Sequence, residues 1–320
     1  MHIAALVLPV FAVIVTGWLV GRLGILPREL AEGLVQFAYR IAMPALLFAA
    51  VAKEPIAAMA DWPFLASFGG GSLIVLVLVA AVSRLVLRRA PALATIDGLA
   101  AAMTNTGFVA LPILQGLFGP RALLPAAIAT LFVAVILFPL GVVLLERARG
   151  AAAADAPPLG DVVHHTLTNP MVAPTLLGLA YAATGLPLPA IVDDYLGILA
   201  GALTPCALFA IGLGLHVEDI RHHAWAAVLL TLVKLVALPA LVLAIAWRLE
   251  LAPFAAVAAV LCAAVPTAKT LYIMSSEYRT GRELVAATIA LTTLASVASL
   301  LAWLVLLAHL YPSVFPVPAN

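Results

Sequence analysis

Ten long apolar stretches fill almost the whole of this 320-residue chain, and they restrict the folds open to it. Each is close to the ~20 residues that cross ~30 Å of hydrocarbon as an α-helix. None shows the period-2 alternation of a transmembrane strand. The chain is therefore predicted to be an all-α polytopic membrane protein. The ten predicted helices cover residues 2–22, 29–52, 62–87, 95–118, 121–145, 163–184, 192–215, 223–248, 253–276 and 284–308.

Composition and missing motifs exclude several functional classes. Hydrophobic residues make up 65% of the chain and charged residues 10%, which leaves too little polar sequence for a nucleic-acid-binding domain. Nucleophile-elbow, Walker, His-Glu-x-x-His and dinucleotide-binding patterns are absent, so neither an enzyme nor a bound cofactor is expected. The pairs His164-His165 and His222-His223 lack acidic or cysteine companions at ligand spacing, so no metal site is expected.

Basic residues in the loops predict the orientation. If the N-terminus lies outside, the inner connections carry ten arginines and the outer connections carry three basic residues. By the positive-inside rule, both termini then face away from the cytoplasm. We expect a multi-pass protein of the cell (inner) membrane. The inner set is Arg22, Arg28, Arg84, Arg88, Arg89, Arg147, Arg149, Arg221, Arg279 and Arg282, and the outer set is Lys53, Arg121 and Arg248.

The sequence resembles itself at a shift of 161 positions. Prolines, glycines and turn residues coincide at that shift, which is improbable by chance because these residues are sparse in apolar helices. Each half would hold five helices, and an odd number makes the second copy inverted, a recurrent design of secondary transporters. We place the boundary near residue 150, which gives repeats 1–150 and 151–320. The matching pairs are Pro9 and Pro170, Gly17 and Gly178, Gly24 and Gly185, Pro44 and Pro205, Phe48 and Phe209, and Arg121 and Arg282.

The fourth and ninth predicted helices both contain an interruption. Residues 104–112 form a polar, glycine-containing run that ends in Pro112, and residues 265–270 contain Pro266 at the corresponding depth. Proline frees backbone groups that lipid cannot satisfy, whereas the same groups are tolerated where they line a polar cavity. Half-helix N-termini carry partial positive charge that suits a carboxylate. The alternative is a pair of simple proline kinks satisfied by neighbouring Ser and Thr.

Three cations lie near mid-span with no acid close by in sequence, namely Arg40, Lys234 and Lys269. A charge at that depth faces protein, water or an anionic ligand. Lys269 follows the second interruption, where it could bind a carboxylate or exchange a proton, or serve only as a structural counter-charge. Arg40 precedes Pro44 by about one turn, where it suits bidentate carboxylate binding or caps freed carbonyls. Lys234 is interpreted as structural, meeting the C-terminal carbonyls of a broken helix.

These features together resemble the auxin efflux carrier family, which includes plant PIN-type auxin carriers and bacterial malonate or malate carriers. The resemblance covers nearly the whole chain, and its specificity comes from the order and spacing of motifs that are weak individually. The motifs are Leu8-Pro9-Val10-Phe11 with Gly17 and Gly21, Met43-Pro44-Ala45-Leu46-Leu47-Phe48, Asn105-Thr106-Gly107 with Leu111-Pro112, Asn169-Pro170, Ala207-Leu208-Phe209 with Gly212, Lys234-Leu235 with Pro239, and Pro266-Thr267-Ala268 with Glu277-Tyr278.

The resemblance implies ten helices in two inverted five-helix repeats. Helices 1, 2, 6 and 7 would form a scaffold that dimerises, and helices 3–5 and 8–10 a mobile transport domain. Helices 4 and 9 would cross as broken helices, with the carboxylate near the crossing at Asn105, Thr106, Pro266 and Thr267. Lys269 departs from the family pattern, because an uncharged residue is common there.

We therefore expect a secondary active transporter of organic anions, small carboxylates such as malonate or malate, working by an elevator-like alternating-access mechanism. H⁺ is favoured over Na⁺ as coupling ion. The alternatives are an anion channel, a carrier of auxin-like aromatic carboxylates, or a non-transporting anion-sensing receptor. The expected substrate-binding residues are Asn105, Thr106, Gly107, Pro266, Thr267, Lys269 and Arg40, with Pro112 and Pro266 as crossover hinges and Pro44 and Pro205 as scaffold prolines.

Overall fold

The computed structural model describes residues 2–27, 29–53, 61–149, 170, 172–214 and 224–315. Every regular element in these ranges is helical, which confirms the all-α class. The pairs His164-His165 and His222-His223, and the predicted boundary at residue 150, lie outside the described residues. The helices of the first half are His2–Arg22, Leu30–Ala52, Trp62–Leu85, Pro91–Ala102, Leu111–Phe118, Leu123–Phe132 and Phe138–Arg149. Those of the second half are Val172–Ala182, Ala190–Gly201, Leu203–Leu213, Ala224–Leu232, Leu238–Arg248, Pro253–Ala264, Thr270–Glu277 and Arg282–Leu310.

Among the described residues, six helical stretches are long and apolar enough to cross a membrane, and four shorter apolar helices accompany them. Two of the short ones, Pro91–Ala102 and Pro253–Ala264, are short because each ends at an interruption. Helix is present in each of the ten predicted segments, although a full set of ten spans stays a prediction. The six long stretches are Leu30–Ala52, Trp62–Leu85, Thr106–Ala148, Ala190–Leu213, Trp225–Arg248 and Arg282–Leu310.

The described part of the chain contains four widened, π-helical turns, and in each case a proline follows two residues after the turn. Proline has no N–H for the carbonyl four residues earlier and its ring crowds that carbonyl, so the preceding turn opens. At one of the four, the Leu235 carbonyl accepts hydrogen bonds from Ser299 Oγ at 3.0 Å and Trp303 Nε1 at 2.8 Å instead. The turns are Ala38–Ala42, Thr106–Ala110, Val133–Leu137 and Val233–Ala237, followed by Pro44, Pro112, Pro139 and Pro239.

Close helix packing joins the two halves at glycines. A Cβ on Gly17 would lie 2.2 Å from the Phe209 carbonyl oxygen, and a Cβ on Gly178 would lie 2.9 Å from that of Phe48. Gly17 matches Gly178 and Phe48 matches Phe209 at the 161-residue shift, so the two contacts are reciprocal. Without a side chain at these glycines, the paired helices approach backbone to backbone, as small residues permit in membrane proteins.

Gly212 makes the tightest of these approaches, and we expect Gly212→Ala to destabilise the protein. The added Cβ would lie 1.9 Å from the Ile14 carbonyl oxygen, so the helices must separate. Overpacking of this kind typically costs about 1–3 kcal/mol. The measurement is the melting temperature of the purified protein. The control is Gly70→Ala, a helical position with open space around it, which should melt at or slightly above the wild-type temperature.

Candidate functional site

Two interrupted helices meet at the centre of the molecule. The helix Pro91–Ala102 gives way to extended backbone at Met103, and Pro253–Ala264 gives way to extended backbone at Val265. We call residues 103–105 and 265–269 the first and second crossing segments. They pair antiparallel through one bridge, between Thr104 and Thr267. The predicted interruptions are therefore confirmed, and two simple proline kinks do not describe the structure.

Backbone hydrogen bonds hold the crossing segments together. The Asn105 N–H donates to the Pro266 carbonyl at 2.9 Å, and the Ala268 N–H donates to the Met103 carbonyl at 3.0 Å. Backbone at membrane depth needs internal partners of this kind, because lipid offers none. Pro266 thus lies inside an interruption. Pro112 lies beyond the first one, as the second residue of a helix that follows a π-helical turn.

Side chains satisfy the broken helix ends. Thr267 Oγ1 donates to the Ala100 carbonyl at 2.8 Å, at the end of Pro91–Ala102. Lys234 Nζ donates to the Ala263 carbonyl at 2.6 Å, at the end of Pro253–Ala264. The last carbonyls of a helix have no partner within it, so these bonds replace missing helical donors. The structural interpretation of Lys234 is confirmed.

A cavity of about 150 Å³ lies against the crossing, where the second halves of both interrupted helices begin. One wall consists of Thr104 to Phe108 and another of Ala268 to Thr270. Residues from two neighbouring helical stretches complete it. The lining residues are Tyr39, Thr104, Asn105, Thr106, Gly107, Phe108, Thr130, Val133, Ala134, Phe138, Ala268, Lys269 and Thr270.

The cavity has a positive electrostatic character. Lys269 immediately precedes the helix Thr270–Glu277, so its ammonium group and the helix N-terminus act at the same end of the cavity. Helical backbone also begins after Asn105 on the opposite wall. Among the described residues that line the cavity there is no Asp or Glu. An anion entering it would therefore meet a side-chain charge and two helix N-termini of favourable sign.

The hydroxyl of Thr104 is a polar group of the cavity wall whose hydrogen-bonding capacity is unmet. The residue is 1% exposed, and its Oγ1 has no hydrogen-bond partner among the described residues. A buried hydroxyl without a partner costs free energy, which a ligand acceptor would recover. We infer that Thr104 is available to donate to a bound molecule.

The structure brings together only part of the set predicted from sequence. Asn105, Thr106, Gly107 and Lys269 line the cavity. Pro266 and Thr267 are buried in the second crossing segment and hold the crossing itself, without lining the cavity. Arg40 is exposed and does not line the cavity, whereas its neighbour Tyr39 does.

Sequence reasoning missed several cavity residues. Tyr39 stacks on Phe108 with ring centroids 6.1 Å apart, which joins the helix Leu30–Ala52 to the first interrupted helix. Thr104 and Thr270 belonged to the polar runs already singled out, and their adjacency to the interruptions was the available signal. Thr130 and Phe138 carried no such signal, because an isolated Thr or Phe is ordinary within an apolar helix.

Comparison with known proteins gives a consistent result. A family model described as "Membrane transport protein" matches residues 2–304. A "Putative malonate transporter" of Rhizobium meliloti is 29% identical over 299 residues, covering 93% of each chain. An "Uncharacterized transporter" of Methanothermobacter thermautotrophicus is 26% identical over 311 residues, covering 94% of this chain and 97% of that one. A "Lysosomal cholesterol signaling protein" of Mus musculus is 27% identical over 245 residues, covering 72% of this chain and 28% of that protein.

Proposed function

Because this chain belongs to the membrane transport protein family, which is the auxin efflux carrier family expected from its motifs, we propose that it is a secondary active transporter of small carboxylates. The family and the names of its relatives indicate a transporter rather than an enzyme. The observation that carries the proposal is the cavity at the crossing, where Lys269 faces a wall without acidic residues and the Thr104 hydroxyl lacks a partner.

The size of the cavity favours a small substrate. A volume of about 150 Å³ is close to that of engineered protein cavities that hold one benzene molecule. A three- or four-carbon dicarboxylate has a similar number of non-hydrogen atoms, whereas an auxin-like aromatic carboxylate has about twice as many. The name of the Rhizobium relative, "Putative malonate transporter", agrees with this choice. We therefore propose malonate or malate ahead of aromatic carboxylates.

Four polar side chains of the cavity and the two helix N-termini are assigned roles in this proposal. Lys269 pairs with a carboxylate, and Asn105, Thr106 and Thr104 orient it together with the amides at the two helix N-termini. Val133 and Phe138 contact the methylene carbons of the substrate. Arg40 is assigned a position on the route to the site rather than a place within it, since it is exposed beside Tyr39.

The transport motion we propose is elevator-like, with ten helices arranged as two inverted five-helix repeats, residues 1–150 and 151–320. The reciprocal contacts of Gly17 with Phe209 and of Gly178 with Phe48 support such a relation between halves. Helices 1, 2, 6 and 7 would form the scaffold and a homodimer interface. The remaining helices would carry the crossing and its cavity across the membrane as one body, with Pro112 and Pro266 as hinges.

We favour H⁺ over Na⁺ as the coupling ion. The ammonium group of Lys269, at the end of the second crossing segment, occupies space that a sodium ion would use, and it can itself exchange a proton. The protein would work in the cell (inner) membrane with both termini on the non-cytoplasmic side. In that orientation Tyr278, which donates to Glu146 at 2.6 Å, lies at the inner ends of two helices, where it can influence access to the cavity.

The proposal predicts that malonate or malate raises the melting temperature of the purified protein, because a ligand that binds only the folded state stabilises it. In proteoliposomes the same compound should be taken up with saturation, and uptake should change with an imposed pH gradient. Conductance far above carrier turnover would indicate a channel instead. Saturable binding without uptake would indicate a receptor, and stabilisation by indole-3-acetate but not by malonate would contradict the size argument.

A further inference from the structure

Lys234 is a buried cation that does not line the cavity at the crossing. Its side chain is completely buried, and its ammonium group donates to the Ala263 carbonyl at 2.6 Å. The two ion pairs of the described residues, Lys53 with Asp193 and Arg89 with Asp97, do not involve it. A buried cation is costly unless something nearby offers negative charge. Here the nearest such source is the C-terminal end of a helix.

That helix end is the end of Pro253–Ala264, which stops at the second crossing segment. The helix dipole concentrates partial negative charge on the last carbonyls, and those carbonyls lack helical donors. Interrupted helices in transporters commonly offer this kind of end to a sodium ion or a proton. The Lys234 ammonium group occupies the same chemical position, with the difference that it is covalently tethered.

The C-terminal end of the other interrupted helix has a different kind of hydrogen-bond donor. The end of Pro91–Ala102 accepts a neutral hydroxyl from Thr267, at 2.8 Å from the Ala100 carbonyl oxygen. At the 161-residue shift, Lys234 corresponds to Leu73, which is apolar. A cation therefore completes one helix end and not the other. Helix termination alone does not require a charge, since a hydroxyl performs it in the first half.

We propose that Lys234 is a built-in substitute for a bound monovalent cation at the C-terminal end of the helix Pro253–Ala264, so that this protein needs no free sodium ion to hold its crossing together. This inference rests on the proposed carboxylate transport and extends it. Lys234 would keep one positive charge in the transport domain, and that charge would move with the site in every cycle. Lys269 binds the substrate, whereas Lys234 binds the Ala263 carbonyl, at the helix end that precedes the second crossing segment.

The test compares melting temperatures of purified Lys234→Ala in NaCl and in choline chloride at equal ionic strength. Removing the ammonium group leaves a cation-sized space beside an unsatisfied carbonyl. We expect the variant to melt below the wild type in choline and to recover by about 2–4 °C in sodium. Wild-type protein should show no difference between the two salts. Lys234→Ser provides a second variant that adds an oxygen ligand for the ion.

The control is Thr231→Ala, a buried position one turn earlier on the same helix, whose hydroxyl bonds only to the Ala227 carbonyl. It should respond equally to both salts. The proposal would be overturned if neither Lys234→Ala nor Lys234→Ser is stabilised specifically by sodium, or if neither variant folds in either salt. So would a sodium-dependent wild type. These melting temperatures do not depend on uptake. They therefore test the role of Lys234 even if the protein does not transport carboxylates.

Discussion

Replacing Lys269 by methionine is expected to lower carboxylate uptake by about 30-fold or more while the protein stays folded. Lys269 is the one charged residue of the described cavity lining, and it stands at the N-terminus of the helix Thr270–Glu277. Removing one partner of a desolvated charge pair typically costs about 2–5 kcal/mol, and each 1.4 kcal/mol is tenfold in affinity. Initial uptake rates of labelled malonate in proteoliposomes measure the effect.

Two further variants separate charge from position. Lys269→Arg keeps the charge and should retain part of the uptake, although its planar fork fits the site differently. Lys53→Met removes a half-exposed lysine that pairs with Asp193, away from the cavity, and should transport normally. Malonate should raise the melting temperature of Lys53→Met and of the wild type, but not of Lys269→Met. Normal uptake by Lys269→Met would remove this residue from the substrate site.

Much of the fold follows from local rules that sequence makes visible. Apolar length determines where helices can cross hydrocarbon, and the polar runs near Asn105 and Pro266 predicted where two of them stop. Asn105 corresponds to Pro266 at the 161-residue shift, and the structure joins their backbones by a hydrogen bond, with the bridge one residue away between Thr104 and Thr267.

The cavity itself was less predictable, because it depends on which faces of distant helices meet. Tyr39 lines it and Arg40 does not, although the two are adjacent in sequence. A helical step of about 100° separates neighbouring side chains, so only the packed orientation of the helix decides between them. Arg40 attracted attention by its charge, whereas a tyrosine in an apolar helix gave no reason to prefer it.

The position of the first interruption shows how proline can mislead. The predicted interruption was a run that ended in Pro112. The structure interrupts the helix at the start of that run, after Ala102, and at Pro112 the π-helical turn Thr106–Ala110 absorbs the missing hydrogen bond so that the helix continues. The same adjustment precedes Pro44, Pro139 and Pro239. These four prolines therefore mark widened turns, whereas Pro266 lies inside an interruption. Interruption occurs instead where side chains such as Thr267 and Lys234 complete the free helix end.

Thr267 connects the two crossing segments, and Thr267→Val is the second variant with a large expected effect. The residue is fully buried, its hydroxyl donates to the Ala100 carbonyl, and its N–H donates to Thr292 Oγ1 at 3.2 Å. Valine has the same shape without the hydroxyl, so the Ala100 carbonyl would lose this donor at a helix end. A buried polar group without a partner costs about 1–3 kcal/mol. We expect a lower melting temperature and at least about tenfold slower malonate uptake, since the cavity wall begins beside this bond.

Thr267→Ser keeps the hydroxyl and should restore most of the uptake. Thr288→Val is the matched control, because Thr288 is equally buried but its hydroxyl bonds only to Leu284 within its own helix. A general penalty for losing a buried threonine hydroxyl would slow both valine variants alike. A specific role of the crossing would slow Thr267→Val alone, because only there does the lost bond join the end of one interrupted helix to the middle of the other. Equal uptake by the two valine variants would therefore show that the loss reflects only general stability. The bond between Thr267 and Ala100 would then have no specific role in transport.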